Sequence, residues 1–132
     1  MSNPKAPRDM SWSERWSASR GRYVLQGTEP VPEPDLLAWG EWFETADRIV
    51  KQTKVAPEIW VSSVFLGLDH NFWGRGAPVL FETMVFGGPL HGEQERYTTW
   101  FAAEQGHERM LARVCKSMGL GEGSFGDTSE RN

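Results

Sequence analysis

One cysteine, Cys115, stands alone in 132 residues. A single thiol excludes an intramolecular disulfide and any cysteine-clustered zinc site, and it fits a reducing cytoplasm. No apolar run is long enough to span a bilayer, and the opening MSNPKAPRD has no signal-peptide core. The expectation is therefore a cytoplasmic protein without membrane contact. Basic residues are outnumbered, 14 against 18 acids, for a formal net charge of -4. That balance argues against nucleic-acid binding through a basic surface. Recognised chemical motifs are also missing. There is no H-E-x-x-H, and Gly74, Gly76, Gly87 and Gly88 match neither a P-loop nor a dinucleotide fingerprint. No cofactor is expected.

What is abundant is tryptophan, with seven residues. Large aromatic side chains anchor cores and interfaces. A chain of this length suits one domain that buries roughly two-thirds of its unfolded surface without a staple. The stretch Trp60–Phe86 organises it. Trp60–Asp69 and Val79–Phe86 are rich in β-branched and aromatic residues, and the HNFWGRGAP between them breaks a ladder. An antiparallel hairpin with a loop of about eight residues follows. Setting Asp69 opposite Pro78 makes a core face of Trp60, Ser62, Val64, Leu66, Leu68, Val79, Phe81, Thr83 and Val85. The other face then holds Val61, Ser63, Phe65, Gly67, Asp69, Leu80, Glu82, Met84 and Phe86.

Residues 1–22 read as an arm, partly ordered or disordered, in which Trp12 and Trp16 would share a helical face. Either it packs on its own domain or it docks on a partner. A single α+β domain is expected over 23–119, and a disordered tail over 120–132. Tyr23–Gly27 is a strand candidate, and the prolines of TEPVPEP keep the next segment extended. Asp35 caps a helix whose apolar stripe is Leu36, Trp39, Phe43, Ala46 and Val50, with Gly40 expected to allow close packing on the sheet. KQTKVAPE reads as a connection, GGPLHGEQE as a mobile loop, and Arg96–Thr98 as a short edge strand. Thr99 caps a second helix that stops at Gly119, with Trp100, Ala103, His107, Met110 and Val114 on its stripe. The expected fold is α+β, an antiparallel sheet of three to four strands with two helices packed on one face.

Polar residues in apolar surroundings are the candidates for chemistry. Asp69, His70 and His107 are the candidate metal ligands, but in no recognised spacing, so the expectation is no metal. Glu82 and His107 are the candidate catalytic pair. For Glu82 the structural alternative is an ion pair with an arginine, and for His107 a buried hydrogen-bonded ring that Glu104 could contact. Ser62, Ser63 and Cys115 lack the setting of a nucleophile. The candidate partner-binding residues are Phe65, Phe72, Trp73, Leu80, Glu82, Met84 and Phe86, joined by Trp12 and Trp16.

The segments VFLGLDHNF, LFETMVFGG and RYTTWFAAEQGH resemble those of small proteins encoded by tailed phages and prophages, as does YVLQGTEPVPEPDLLAWGEWFE. The likeness runs over about Tyr23 to Val114. It implies a virus-encoded protein made in an infected bacterium, and it carries no catalytic residue. The leading expectation is a non-catalytic binding module acting on a host or phage protein, for example an inhibitor of a bacterial defence, with self-association as an option. The alternatives are a small metal-dependent hydrolase or nucleotide-processing enzyme, and a virion structural or assembly protein.

Overall fold

The computed structural model describes residues 10–72 and 76–120. The fold is α+β, with three helices and two antiparallel sheets. Contacts group the chain into two units. One is Met1–Asp47 with Gly67–Pro78, and the other is Arg48–Leu66 with Val79–Asn132. The division falls inside the stretch read above as one domain.

The first unit begins with α1 (Trp12–Ser19), inside the segment expected to be an arm. Ser11 and Glu14 close a capping box that satisfies the first amides, and Arg20 ends the helix in the left-handed region. β1 (Tyr23–Gln26) and β2 (Glu29–Pro32) form a two-stranded ribbon. Pro30 and Pro32 are tolerated because the Glu33 amide donates to the Arg22 carbonyl. This places Tyr23↔Pro32 and Leu25↔Pro30 at the non-hydrogen-bonded sites, where a missing N–H costs nothing. α2 (Leu36–Thr45) is capped by Asp35, whose side chain accepts from the amides of Leu37 and Ala38. The helix ends earlier than its apolar stripe suggests, with Ala46 extended at the C-cap, so Val50 lies in a strand. Residues 67–69 complete the unit. The Tyr23 amide donates to Gly67 O, the Asp69 amide donates to Gly21 O, and Arg22 bridges Leu68. Trp39 Nε1 donates to both Tyr23 O and Gly67 O, and its ring stacks on Phe43 at 4.9 Å.

The second unit is a four-stranded antiparallel sheet, β3 (Ile49–Ala56), β4 (Ile59–Phe65), β5 (Phe81–Phe86) and β6 (Gln94–Tyr97), in that order, packed against α3 (Trp100–Ser117). The segment read as a connection, KQTKVAPE, lies largely in β3. Its alternation of lysine with Val, Gln and Thr hides a strand register behind charge. Of the two helices expected on the sheet, α3 is the one that lies on this one. α2 belongs to the other unit, where its contacts are with β1.

The hairpin register corrects the sequence reading. Phe65 pairs with Phe81, Ser63 with Thr83 and Val61 with Val85, one residue away from the expected pairing. The cause is Gly67, whose φ of +79° turns the chain out of β4 before Asp69, so the strand does not run to the expected end. A one-residue slip exchanges the faces of one strand. Val61, Ser63 and Phe65 thus join Phe81, Thr83 and Val85 on the inner face, and all six are fully buried. Val61, Val85, Met110, Leu111 and Val114 form the core cluster, bordered by Val55, Ile59, Leu90 and Met118. Gly106 lies where α3 crosses Tyr97. A Cβ there would stand 2.1 Å from the Tyr97 ring, so only glycine lets the phenol lie against the helix.

Candidate functional site: a sealed imidazole and an aromatic outer face

Inner and outer faces of the four-stranded sheet divide the candidate chemistry. On the inner face His107, carried by α3, is fully buried between strands. Its Nε2 is 2.8 Å from Thr53 Oγ1 and its Nδ1 is 2.7 Å from Ser63 Oγ. Ser63 is in turn hydrogen-bonded to the Thr83 hydroxyl. A neutral imidazole has one N–H and one bare nitrogen, so one hydroxyl accepts from the ring and the other donates to it. Burial pushes the His107 pKa down to about 4. Glu108 acts in the opposite direction, and Lys51 adds slightly to the fall. The ring is therefore neutral at pH 7. Glu104, the neighbour suggested by helical spacing, is exposed and is not among its hydrogen-bond partners.

A serine oxygen 2.7 Å from a histidine nitrogen is the arrangement of an activated nucleophile. Here it lacks the other requirements. Thr53, Ser63, Thr83 and His107 are all sealed from solvent, and the far ring nitrogen meets a hydroxyl instead of a carboxylate. Its physical role is to satisfy polar groups in the core, where an unpaired one would cost about 1–3 kcal/mol. At the edge of this cluster Tyr97 donates to Glu95 Oε1 at 2.9 Å. Burial raises its phenol pKa, with the Thr83 hydroxyl acting the other way.

Glu82, the other catalytic candidate, is on the opposite side of the same sheet. It pairs across the strands with Arg96, whose Nε is 3.0 Å from Glu82 Oε2. The sheet separates Glu82 from His107, so these two cannot share a substrate atom. Asp69 and His70 belong to the other unit. Asp69 accepts from the Asn71 amide at 2.7 Å, and His70 Nδ1 donates to Leu68 O at 2.8 Å. Among the described residues no three His, Cys, Asp or Glu side chains gather as a metal-binding group. His91 accepts from the Gly87 amide at 2.7 Å and so organises the loop between β5 and β6, a built turn where the glycines suggest mobility. Cys115 is buried, and burial raises its thiol pKa. No protein family, curated protein or solved structure matches this chain.

The partner-binding candidates also divide. Phe65 and Leu80 are buried, at 0% and 1% exposure, and are not available to a partner: Phe65 for the register reason given above, Leu80 just ahead of β5, where its amide donates to the Tyr97 carbonyl. Met84 and Phe86 remain on the outer face with Glu82. The slip adds Trp60, Ser62 and Val64 to them. Trp60 pairs with Phe86, and the two rings are 38% and 45% exposed. Lys54 holds its ammonium 5.7 Å from the centre of the Trp60 ring. In the other unit Phe72 is exposed beside the His70 ring, and Trp73 lies outside the described residues. Trp12 and Trp16 are exposed on α1, whose Arg15 guanidinium donates to the Pro32 carbonyl of β2 at 3.2 Å. Hence α1 is tied to its own unit. Thr53 and Thr83 were the residues sequence reasoning missed, and Ser63 was weighed only as a nucleophile. Their signal was a hydroxyl at an inward position on each of three neighbouring strands, readable only with the register in hand. No helix among the described residues is long and apolar enough to cross a membrane.

Proposed function

We propose that this chain is a non-catalytic protein-binding module, of the kind small phage-encoded proteins use against a host or phage protein, with inhibition of a host defence as the leading version. One observation carries the reading. The histidine–hydroxyl cluster is sealed inside the sheet and Glu82 is held in an ion pair with Arg96, while Trp60, Met84 and Phe86 stand on the outer face. A catalytic residue must reach its substrate, whereas a docking anchor must be open until its partner arrives. Exposed aromatic pairs of this type are common hot spots, and truncating one costs about 2 kcal/mol or more of binding.

The test is a pull-down from phage-infected bacteria with the full chain as bait, compared with Trp60→Ser/Phe86→Ser. The reading predicts a specific partner lost with the double variant while circular dichroism is unchanged. A partner retained by the double variant would move the site elsewhere. Turnover of a phosphoester or peptide substrate by the purified chain would replace the reading with the hydrolase alternative.

A further inference from the structure

The segment 23–47 contains six of the chain's 18 acidic residues, Glu29, Glu33, Asp35, Glu41, Glu44 and Asp47, and none of its 14 basic ones. It thus carries -6 against +2 for the rest of the chain, which together give the net -4. Within it lies α2, whose ten residues include six apolar ones, Leu36, Leu37, Ala38, Trp39, Trp42 and Phe43, and none of the ten is buried. Leu36 and Leu37 are 59% and 78% exposed. A soluble helix normally buries its apolar stripe.

Gly40 adds a second anomaly. It was expected to allow close packing, yet a Cβ there would meet nothing within 4 Å among the described residues. A mid-helix glycine costs about 1 kcal/mol relative to alanine, and among the described residues no close neighbour requires it here. Leu36, Leu37 and Gly40 are neighbours on the helix surface, forming two apolar ridges with a gap beside them. Glu41 and Glu44 follow, exposed and without an ion pair among the described residues. They stand toward the negative end of the helix dipole, and no basic residue occupies the last turn.

We infer that α2 is a docking surface for a cationic amphipathic segment of a partner protein. Apolar side chains of that segment seat on Leu36 and Leu37 over Gly40, and its lysines or arginines meet Glu41 and Glu44. Charge complementarity selects this occupant. A second copy would bring two segments of -6 together. The inference concerns the unit that does not contain Trp60 and Phe86, and it stands independently of the outer sheet face.

A synthetic helical peptide of leucines and lysines, with leucine at three- and four-residue steps, is the probe. It is titrated into the full chain by calorimetry. Leu37→Ser and the pair Glu41→Lys/Glu44→Lys each weaken binding by about tenfold or more, and Phe86→Ser leaves it within about twofold. Added salt weakens binding to the parent chain and has a smaller effect on the double-lysine variant. Matching peptides with serine for leucine, or glutamate for lysine, bind far more weakly. Equal binding of the parent and Leu37→Ser, or of the serine peptide, overturns the inference. So does a dimer of the chain that Leu37→Ser dissociates, which would make a second copy the occupant. Leu37 is mostly exposed, so its variant folds and decides the matter even if the double-lysine chain does not.

Discussion

Acidification is the sharpest probe of the inner face. His107 is held neutral in the fold, with its pKa near 4, against an ordinary value of 6.5. Between these values the unfolded chain binds a proton that the folded chain refuses, so stability rises with pH across that window. The His107 contribution is complete above about pH 6.5, falls as pH drops toward 4, and is level below. The interval corresponds to about 3 kcal/mol, a large share of the stability of a small domain. Carboxylates titrate over part of the same range, so the comparison needs a reference chain, His107→Gln, which cannot charge. Urea unfolding at pH 7 and pH 4 should follow the NMR amide signals of β3–β6 and α3, which assigns the transition to this unit. The parent should lose about 3 kcal/mol more than the variant between the two pH values. The imidazole itself should remain neutral in the folded protein until the pH approaches 4. A ring that titrates near 6.5 in the folded state, or equal losses in both chains, would refute the account of a sealed neutral histidine.

Three substitutions test the packing. Gly106→Ala should destabilise by about 1–3 kcal/mol or more, because its Cβ would stand 2.1 Å from Tyr97, and adding Tyr97→Ala should recover part of the loss in a denaturant melt. Gly87→Ala should cost at least about 1 kcal/mol, since φ is +85° and the new Cβ would fall 2.0 Å from Glu58 O, which belongs to the backbone and has little room to yield. Gly40→Ala should do the reverse and raise stability by up to about 1 kcal/mol, seen as a higher melting temperature; no gain would mean that position 40 is already packed.

The residues that spoke plainly in the sequence are those whose chemistry is local. Asp35 and Thr99 do cap helices, Gly119 does end one with φ +78°, and the arginine expected beside Glu82 is Arg96. Long-range register was harder. The alternation in β4 and β5 is nearly as apolar on one side as on the other, so the pattern alone did not penalise the wrong pairing, and Phe65 moved from a presumed surface into the core. β3 was hidden because lysines at 51 and 54 made it look like a connection. They suit a strand at the sheet edge, where charge also discourages unwanted pairing. The polar cluster around His107 could not be read at all without that register, since Thr53, Ser63 and Thr83 come together at the imidazole only once three strands are aligned side by side.

The path of the chain through Gly67 bears on how this protein is made. Besides their bonds to α1 and to the β1–β2 ribbon, residues 21–23 pair with residues 67–69, a segment synthesised after β4. A nascent chain that has emerged only through Asp47 still lacks the third extended piece of its first unit. β3 and β4 can pair as soon as they appear, because their contact is local. The first unit is therefore completed only by the later-translated segment, and a chain truncated after Asp47 would leave the Tyr23 and Trp39 donors without the Gly67 carbonyl that receives both.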